Sequence, residues 1–397
     1  MLKKHLILPR GLLVFSFVDA ALMSIVWVVE APYLRLLGFT PLEYGILGSI
    51  MAVTSLAGLV TVGWLTDRFK AVPLIVLSLL LRLLCLILLV TGVKELIYLS
   101  AGIGGFASPL LWVPFEVLIS RIVEKERYHY AYPYIHAFTQ VGNAIGAYSG
   151  WIPELTSKAY GMNILELYRL TIIVSAFAAL LLIPLLRGIK EQHPTLAKGG
   201  GLLDTIRSVP RDVWRVMGKL ALVEALIGLG ASISIHNISY YFILKYKVGS
   251  GGLGTLYGSE NLVMAFLMLL LPKLSERLGG SLRTYVIISS TSIPLLIGIT
   301  LVNNYYMAMT LYIARTVLMN VAHPLLTAFT MNIIPPEHRG KASSIMGLSW
   351  QIPTVPGRSI GGYLLQVDLE APLRITAALY VAALTYLMIA FRRHKQQ

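Results

Sequence analysis

Gly63-Trp64-Leu65-Thr66-Asp67-Arg68-Phe69-Lys70 is a short charged turn between two long apolar segments. A weaker copy, Pro272-Lys273-Leu274-Ser275-Glu276-Arg277-Leu278-Gly279, follows after about half the chain length. One acid followed by Arg means little in a loop, but the same pair at the same point of two halves indicates an internal repeat. We therefore predict that the chain consists of two related halves.

The composition indicates a membrane protein. Hydrophobic residues make up 56% of the 397 residues, charged residues make up only 13%, and the mean hydropathy is +0.72. A soluble domain usually carries about 25% charged residues. Apolar segments of roughly 18 residues or more recur along the chain, and each can cross a hydrocarbon core about 30 Å thick. The predicted class is an all-α polytopic membrane protein.

The apolar segments predict twelve transmembrane helices, and the basic residues predict their orientation. Because the number is even, both termini lie on one side of the membrane. Most of the 33 Lys and Arg residues fall in loops on that side, so the positive-inside rule places both termini in the cytoplasm. The net charge of +14 is then a signal of topology in a multi-pass protein of the cell membrane, and no nucleic-acid partner is expected. The spans are roughly 11–35, 43–66, 72–92, 96–120, 130–152, 166–187, 216–243, 253–275, 283–302, 305–333, 342–366 and 372–391.

A polar linker separates the predicted halves. The divisions are residues 1–190 for the first six helices, 191–215 for a cytoplasmic linker that contains Gly199-Gly200-Gly201, and 216–397 for the second six. Several short segments match between the halves in the same order, which supports a repeat. They are Val18-Asp19-Ala20 with Val223-Glu224-Ala225, Ser108-Pro109-Leu110-Leu111 with His323-Pro324-Leu325-Leu326, and Gln140, Gly146 and Gly150 with Gln351, Gly357 and Gly361.

At this point the sequence resembles the major facilitator superfamily (MFS) of secondary transporters. The signature of the family's second loop is G-x-L-x-D-R-x-G-[RK], and Gly63, Leu65, Asp67 and Arg68 match it, whereas Lys70-Ala71 departs from it. The resemblance covers essentially the whole chain. It implies the MFS fold with two pseudo-symmetric six-helix halves, transport of a small molecule by alternating access, and function as a monomer.

The resemblance also implies a cytoplasmic gate built on the charged turn. Asp67 would contact the start of span 11, where free N–H groups and the helix dipole favour an anion. Glu116 is expected to pair with Arg68 or Lys70. The predicted gating motif, which has a conformational role rather than a substrate-binding one, comprises Gly63, Asp67, Arg68, Glu116, Glu276 and Arg277.

Acidic residues within the spans are the first candidates for substrate binding or proton coupling, because charges at bilayer depth generally face a cavity or a partner. Asp19 and Glu30 share one face of span 1, and Glu224 occupies the position of Asp19 in span 7. Spans 1 and 7 line the central cavity in this superfamily, which would place Asp19 and Glu224 on opposite walls. A carboxyl group away from water can carry a proton near neutral pH. The alternative for Asp19 is a structural pair with an Arg of a neighbouring helix.

Basic and amide side chains complete the candidates. Arg315 and Arg358 must pair with a carboxylate, a substrate anion or backbone carbonyls, because Arg keeps its charge. His323 precedes Pro324, where a kink frees backbone groups. His136, Gln140 and Asn143 form a polar stripe on span 5. They are candidates for the site, and the alternative is that they form hydrogen bonds between helices.

We therefore predict a proton-coupled secondary active transporter of a small organic solute. Export is slightly favoured, because Gly142, Gly146 and Gly150 partly match the antiporter signature G-x-x-x-G-P-x-x-G-G. The alternative within transport is a symporter for uptake of an organic anion held by an intramembrane Arg. A transport-inactive scaffold and a membrane enzyme remain more remote alternatives. The sequence has no H-E-x-x-H motif, nucleophile elbow or phosphate loop, so no catalytic residue, metal or cofactor is expected.

Overall fold

The computed structural model describes residues 10–123, 128–187, 189, 191, 210–275 and 281–392. The side chains of residues 128–133, 268–275, 281 and 321 are outside this description. Glu276 and Arg277 of the predicted gating motif also lie outside the described residues.

The described residues form helices and no strand. Three short 3-10 segments, Ile183–Leu186, Ile235–Asn237 and Pro336–His338, accompany the α-helices. The helices are α1 (Arg10–Leu36), α2 (Pro41–Thr66), α3 (Ala71–Val90), α4 (Lys94–Ile122), α5 (Tyr128–Tyr148), α6 (Trp151–Tyr160), α7 (Ile164–Leu180), α8 (Arg211–Ser234), α9 (Ile238–Tyr246), α10 (Ser250–Ser275), α11 (Ser281–Leu301), α12 (Tyr305–Ile333), α13 (Arg339–Val367) and α14 (Ala371–Ala390).

The predicted all-α fold with twelve membrane helices is confirmed. The seventh pass consists of α8 and α9, which the 3-10 segment Ile235–Asn237 joins. Among the described residues, eight passes are both long and apolar enough to cross a membrane by length and composition alone. Helices α5, α10, α12 and α13 are not among these eight, and two of them, α12 and α13, line the cavity described below. The cytoplasmic position of both termini stays a prediction.

Short turns with specific capping residues connect the helices. Thr40 and Glu43 form a capping box at the start of α2: the Glu43 carboxylate accepts from the Thr40 N–H at 2.7 Å, and the Thr40 hydroxyl accepts from the Glu43 N–H at 3.2 Å. Gly38 and Gly92 follow α1 and α3 with φ of 84° and 76°, in the left-handed region that favours glycine. These local signals fix the ends of the helices.

The chain divides into two compact units, and each has the same internal packing. Unit 1 comprises the described residues of Met1–Phe39, Ile50–Ala197 and Val248–Leu269, and unit 2 comprises those of Thr40–Ser49, Lys198–Lys247 and Leu270–Gln397. In unit 1, α1 packs against α5 and α7, and α3 packs against α4 and α7. In unit 2, α8 packs against α13 and α14, and α11 packs against α12 and α14. The repeated pairing gives two pseudo-symmetric halves, whereas the boundaries at residues 190 and 215 stay a prediction.

Glycines bring the helices of one pair in each unit close together. A Cβ atom on Gly146 of α5 would lie 2.0 Å from the carbonyl oxygen of Ala21 in α1. A Cβ atom on Gly361 of α13 would likewise lie 2.0 Å from the carbonyl oxygen of Ile233 in α8. Only glycine allows this approach of two backbones, so a structural role explains the matched glycines of spans 5 and 11.

The apolar core of each unit lies between corresponding helices. In unit 1 it contains residues of α1, α3, α4 and α7, and in unit 2 residues of α8, α11, α12 and α14. Helix α13 is therefore left to pack on α8 and to contribute polar residues to a cavity. Representative core residues are Phe15, Ile75, Leu118 and Leu182 in unit 1 and Val223, Tyr285, Phe329 and Leu384 in unit 2.

Candidate functional site

A cavity of about 430 Å³ lies within unit 2. Helices α8, α12 and α13 form its walls. Its size falls in the range of about 300–1,000 Å³ that is usual for small-molecule sites. The lining residues are Glu224, His323, Thr327, Thr330, Met331, Ser343, Met346, Gly347, Trp350 and Gln351.

Glu224 is the acidic group of this cavity. Its position on α8 follows Val223 of the apolar core, and only 7% of the residue is exposed. Within the described part of the chain, its carboxyl group has no hydrogen bond and no ion pair. A buried carboxylate without compensation is costly, so this group is stable when it holds a proton or meets a ligand.

The walls formed by α12 and α13 combine an imidazole with apolar side chains. His323 lies on α12 directly before Pro324, whose ring removes one backbone N–H from the helix. The hydroxyl groups of Thr327 and Thr330 donate to carbonyl oxygens of their own helix at 3.3 and 2.9 Å. Trp350 and two methionines supply apolar surface. The cavity therefore suits a small organic molecule with an apolar body and a few polar groups.

Asp19, the counterpart of Glu224 in unit 1, has a charged partner. Its carboxylate forms an ion pair with Arg82 of α3, and the two side chains are 14% and 12% exposed. This is the structural pair that the sequence left open as the alternative for Asp19. Glu30, on the same helix, is half-buried and lies within electrostatic range of Cys85 of α3. The role of Asp19 and Glu30 in substrate binding or coupling stays a prediction.

Arg315 is buried in unit 2 without a carboxylate. The residue is 4% exposed, and its Nη2 donates to the hydroxyl group of Tyr380 at 2.7 Å. Its guanidinium group also lies 5.4 Å from the centre of the Tyr380 ring. Among the described residues, no acidic side chain lies within ion-pair distance of Arg315.

Arg358 and His236 lie near each other where the seventh pass is interrupted. Asn237 holds this interruption against α13, since its side-chain amide donates to the carbonyl oxygen of Arg358 at 3.1 Å. The ring of His236 is within electrostatic range of both Arg358 and Arg315. The Arg358 side chain runs along Gly48 of α2, where a Cβ atom would lie 2.4 Å from its Cδ.

The polar stripe of span 5 lies in unit 1. His136 is exposed on α5, and the Asn143 side-chain amide donates to Gln140 Oε1 at 3.3 Å. These three residues are therefore assigned to a different unit from the cavity with Glu224, and their predicted role is untested.

The charged turn between α2 and α3 is exposed. Gly63, Asp67 and Arg68 all lie at the surface, and the Arg68 guanidinium stacks over Trp64 at 4.1 Å from the ring centre. Glu116 is exposed near the end of α4. The predicted contact of Asp67 with span 11 and the pairing of Glu116 stay predictions.

Glu191 forms a contact between helices that the sequence did not indicate. Its carboxylate accepts from the Ala71 N–H at 2.8 and 2.9 Å and forms an ion pair with Arg121. Nη2 of Arg121 also donates to the carbonyl oxygen of Thr66 at 2.9 Å. One acid thus connects the end of α2, the start of α3 and the end of α4. A single Glu in a polar linker gives no signal of such a contact.

Comparison with known proteins gives one family. The sequence model of the Major Facilitator Superfamily matches residues 12–357 and 220–397. A search of curated protein sequences finds no match. Solved structures with a similar fold include the nucleoside transporter NupG (TM-score 0.73, 14% identity, 97% of this chain and 99% of that one). A bacterial homologue of the iron transporter ferroportin, in an inward-facing state, has a TM-score of 0.72 at 15% identity, with 96% of this chain and 98% of that one covered. A bacterial homologue of the human lysosomal transporter Spinster has a TM-score of 0.68 at 15% identity, with 96% and 94% covered.

Proposed function

Because the chain belongs to the Major Facilitator Superfamily and is a membrane transporter rather than an enzyme, we propose that it moves a small organic solute in exchange for, or together with, protons. Glu224 is the group that carries the proton. The observation that supports this role is a buried carboxyl group on the wall of a solute-sized cavity, with no ion-pair partner among the described residues.

The proton cycle follows from the environment of Glu224. In a closed cavity the neutral acid is favoured, because the carboxylate has no compensating charge there. When water enters the cavity, it hydrates the carboxylate, so the ionised form becomes favourable and the proton leaves. Alternating access of the kind described for transporters with repeated halves would expose the same group to the two sides in turn.

The walls of the cavity support an organic solute rather than an inorganic ion. Trp350 provides a large apolar surface, while His323 and Gln351 provide few polar contacts. Such a combination fixes the orientation of a ligand without demanding that it be highly charged.

Orientation, direction of transport and oligomeric state complete the proposal. The excess of basic residues in loops of one side supports cytoplasmic termini and residence in the cell membrane. The partial antiporter signature supports export, although its glycines Gly142 and Gly146 also serve close helix packing. The superfamily's usual state supports a functional monomer.

The test is proton movement in proteoliposomes that contain the purified protein and a pH-sensitive dye. We expect a solute from a panel of small organic compounds to evoke a change of internal pH. Glu224→Gln should abolish this signal at unchanged protein content. Asp212→Asn, which removes an exposed acid from the same helix, is the matched control and should retain it.

Two results would refute the proposal. One is the absence of any solute-evoked pH change across the panel. The other is normal proton coupling in Glu224→Gln, which would show that this carboxyl group does not carry the proton.

The gating role of the charged turn is a separate proposal. Asp67 is exposed at the end of α2, so its replacement leaves the interior of unit 1 unchanged. Asp67→Asn should slow transport at least severalfold while solute binding to the purified protein stays the same. Equal transport rates in Asp67→Asn and the unmodified protein would contradict the role.

A further inference from the structure

Unit 2 contains a second cluster of polar groups, apart from the carboxyl group of Glu224. It consists of His236 in the interruption between α8 and α9, Arg315 of α12 and Arg358 of α13. Three basic side chains thus come from three separate segments of one unit, and the imidazole is within electrostatic range of the other two.

The hydrogen bonds of Arg315 are far from complete. A guanidinium group carries five N–H donors. In Arg315, Nη2 donates to Tyr380, whereas the buried Nε has no hydrogen-bond partner in the described residues. The residue is 4% exposed, and its Nε is buried away from water. A buried charge without a partner is strongly destabilising, and an acceptor of opposite charge removes that cost.

His236, within electrostatic range of Arg315, shows a similar deficit. Its Nδ1 is buried and has no hydrogen-bond partner in the described part of the chain. An acceptor that reaches both groups would satisfy the Arg315 Nε and, in the tautomer that carries its proton on Nδ1, the imidazole as well. A carboxylate or phosphate group has several acceptor oxygen atoms and fits this need.

Two acidic side chains of unit 2, Glu370 and Asp368, do not serve as this acceptor. Glu370 forms an ion pair with Lys245 at 2.6 Å and accepts from Tyr241 at 2.8 Å. Asp368 pairs with Arg374 at the surface. Both acids therefore already have partners, and the charge of Arg315 remains uncompensated by any described acid.

The cluster continues one wall of the cavity. Arg358 follows Gln351 by seven residues, which places it on nearly the same face of α13 and about 10 Å further along the helix. From that face its side chain packs along Gly48 of α2. A ligand with its body against Trp350 can therefore extend towards Arg358.

We propose that His236, Arg315 and Arg358 form an anion-binding site that takes the carboxylate or phosphate group of an organic substrate. The apolar body of this substrate lies in the cavity beside Trp350. The inference rests on the proposed function, since it names the chemical class of the transported solute. Arginine suits the site because its planar group binds carboxylate and phosphate through paired hydrogen bonds.

The test uses binding to the purified full-length protein in detergent, measured by the shift of its apparent melting temperature. The probes are 3-phenylpropionate, its uncharged isostere 3-phenylpropionamide, phenyl phosphate and inorganic phosphate. We expect the carboxylate or the organic phosphate to stabilise the protein at concentrations at least tenfold lower than the amide does. A preference between the carboxylate and phenyl phosphate identifies the anionic group, and a response to inorganic phosphate alone would contradict an organic substrate.

Substitutions test whether binding of the anionic probe depends on His236 and Arg315. Arg315→Gln and His236→Gln should each weaken binding of the anionic probe at least tenfold, whereas Arg315→Lys should retain part of it. Arg374→Gln removes an exposed arginine from the same unit and is the matched control that should bind as the unmodified protein does. If Arg315→Gln fails to fold, His236→Gln and Arg315→Lys carry the comparison.

Two results overturn the proposal: equal stabilisation by the acid and the amide, or unchanged preference for the acid in the folded cluster variants. The experiment involves no proton gradient. A failure of proton coupling at Glu224 would therefore leave the anion preference intact, and a failure of anion binding would leave the coupling result intact.

Discussion

Glu191→Gln is the most direct test of how unit 1 is held together. The Glu191 side chain is 2% exposed, and its partner Arg121 is 18% exposed. The same carboxylate accepts from the Ala71 N–H at the start of α3. The substitution keeps the shape and one acceptor oxygen, but it removes the charge that Arg121 and the start of the helix both require.

The expected loss can be estimated from the buried pair. Removing one partner of a buried ion pair typically costs about 3–5 kcal/mol, because the other charge remains uncompensated. Arg121 retains its bond to the Thr66 carbonyl oxygen, so we expect a value near the lower limit, about 3 kcal/mol. An exposed pair contributes only about 0.2–1 kcal/mol. Glu166 with Arg169 is such a pair in unit 1, with side chains 58% and 30% exposed.

The assay is unfolding in detergent, followed by the apparent melting temperature and by denaturant titration. Glu191→Gln should melt several degrees below the unmodified protein, and Glu166→Gln should melt within about a degree of it. The double variant Glu191→Gln with Arg121→Gln should recover part of the loss, because it no longer leaves a lone charge. Equal melting of Glu191→Gln and Glu166→Gln would refute the reasoning.

Two further predictions concern contacts within single units. Lys245→Met should destabilise unit 2 by about 3 kcal/mol, measured by denaturant titration, because Glu370 then loses its ion-pair partner in a largely buried place; a change under about 1 kcal/mol would contradict this. Gly146→Val should abolish folded protein in size-exclusion chromatography, since its Cβ would lie 2.0 Å from the Ala21 carbonyl oxygen, whereas Gly63→Ala, with nothing within 4 Å, should elute normally.

The fold is readable from the sequence because membrane helices are specified locally. The apolar segments place all twelve passes, and the matched segments around Asp19 and Glu224 predict the repeat that the packing confirms. The interruption at Ile235–Asn237 was not predicted. There the side chain of Asn237 donates to the Arg358 carbonyl oxygen of another helix, and no local sequence pattern encodes that contact.

Only part of the candidate site could be predicted from the sequence. Glu224 and His323 were predicted as ionisable groups within spans, and the structure brings both to one cavity. Trp350 was not predicted, because an aromatic residue in an apolar span has no feature that separates lining from lipid contact. Glu191 was missed for a related reason: its partners Ala71 and Arg121 are more than fifty residues away in the chain, so only the fold brings them together.

The two units carry an acid at the same position of the repeat, but they differ in the side chain that the neighbouring helix places near this acid. In unit 1, Asp19 of α1 meets Arg82 of α3. In unit 2, the side chain within electrostatic range of Glu224 on the corresponding helix α11 is Tyr285, which brings no positive charge. Position 292, eleven residues into α11 as Arg82 is into α3, holds a serine that bonds to its own helix. Asp19 is therefore part of an ion pair, whereas no positive charge among the residues that the structure describes compensates an ionised Glu224.

This difference predicts opposite effects of removing the two acids. Asp19→Asn leaves Arg82 without its partner, so we expect the apparent melting temperature to fall by several degrees, as for the loss of any buried pair. Glu224→Gln removes a buried group whose charged form has no partner, so the melting temperature should stay equal or rise in alkaline buffer, where carboxyl groups ionise. Both variants are measured in the same detergent across a range of pH. A fall for Glu224→Gln as large as that for Asp19→Asn would mean that Glu224 is also a structural residue, and the difference between the units would then not explain which acid carries the proton.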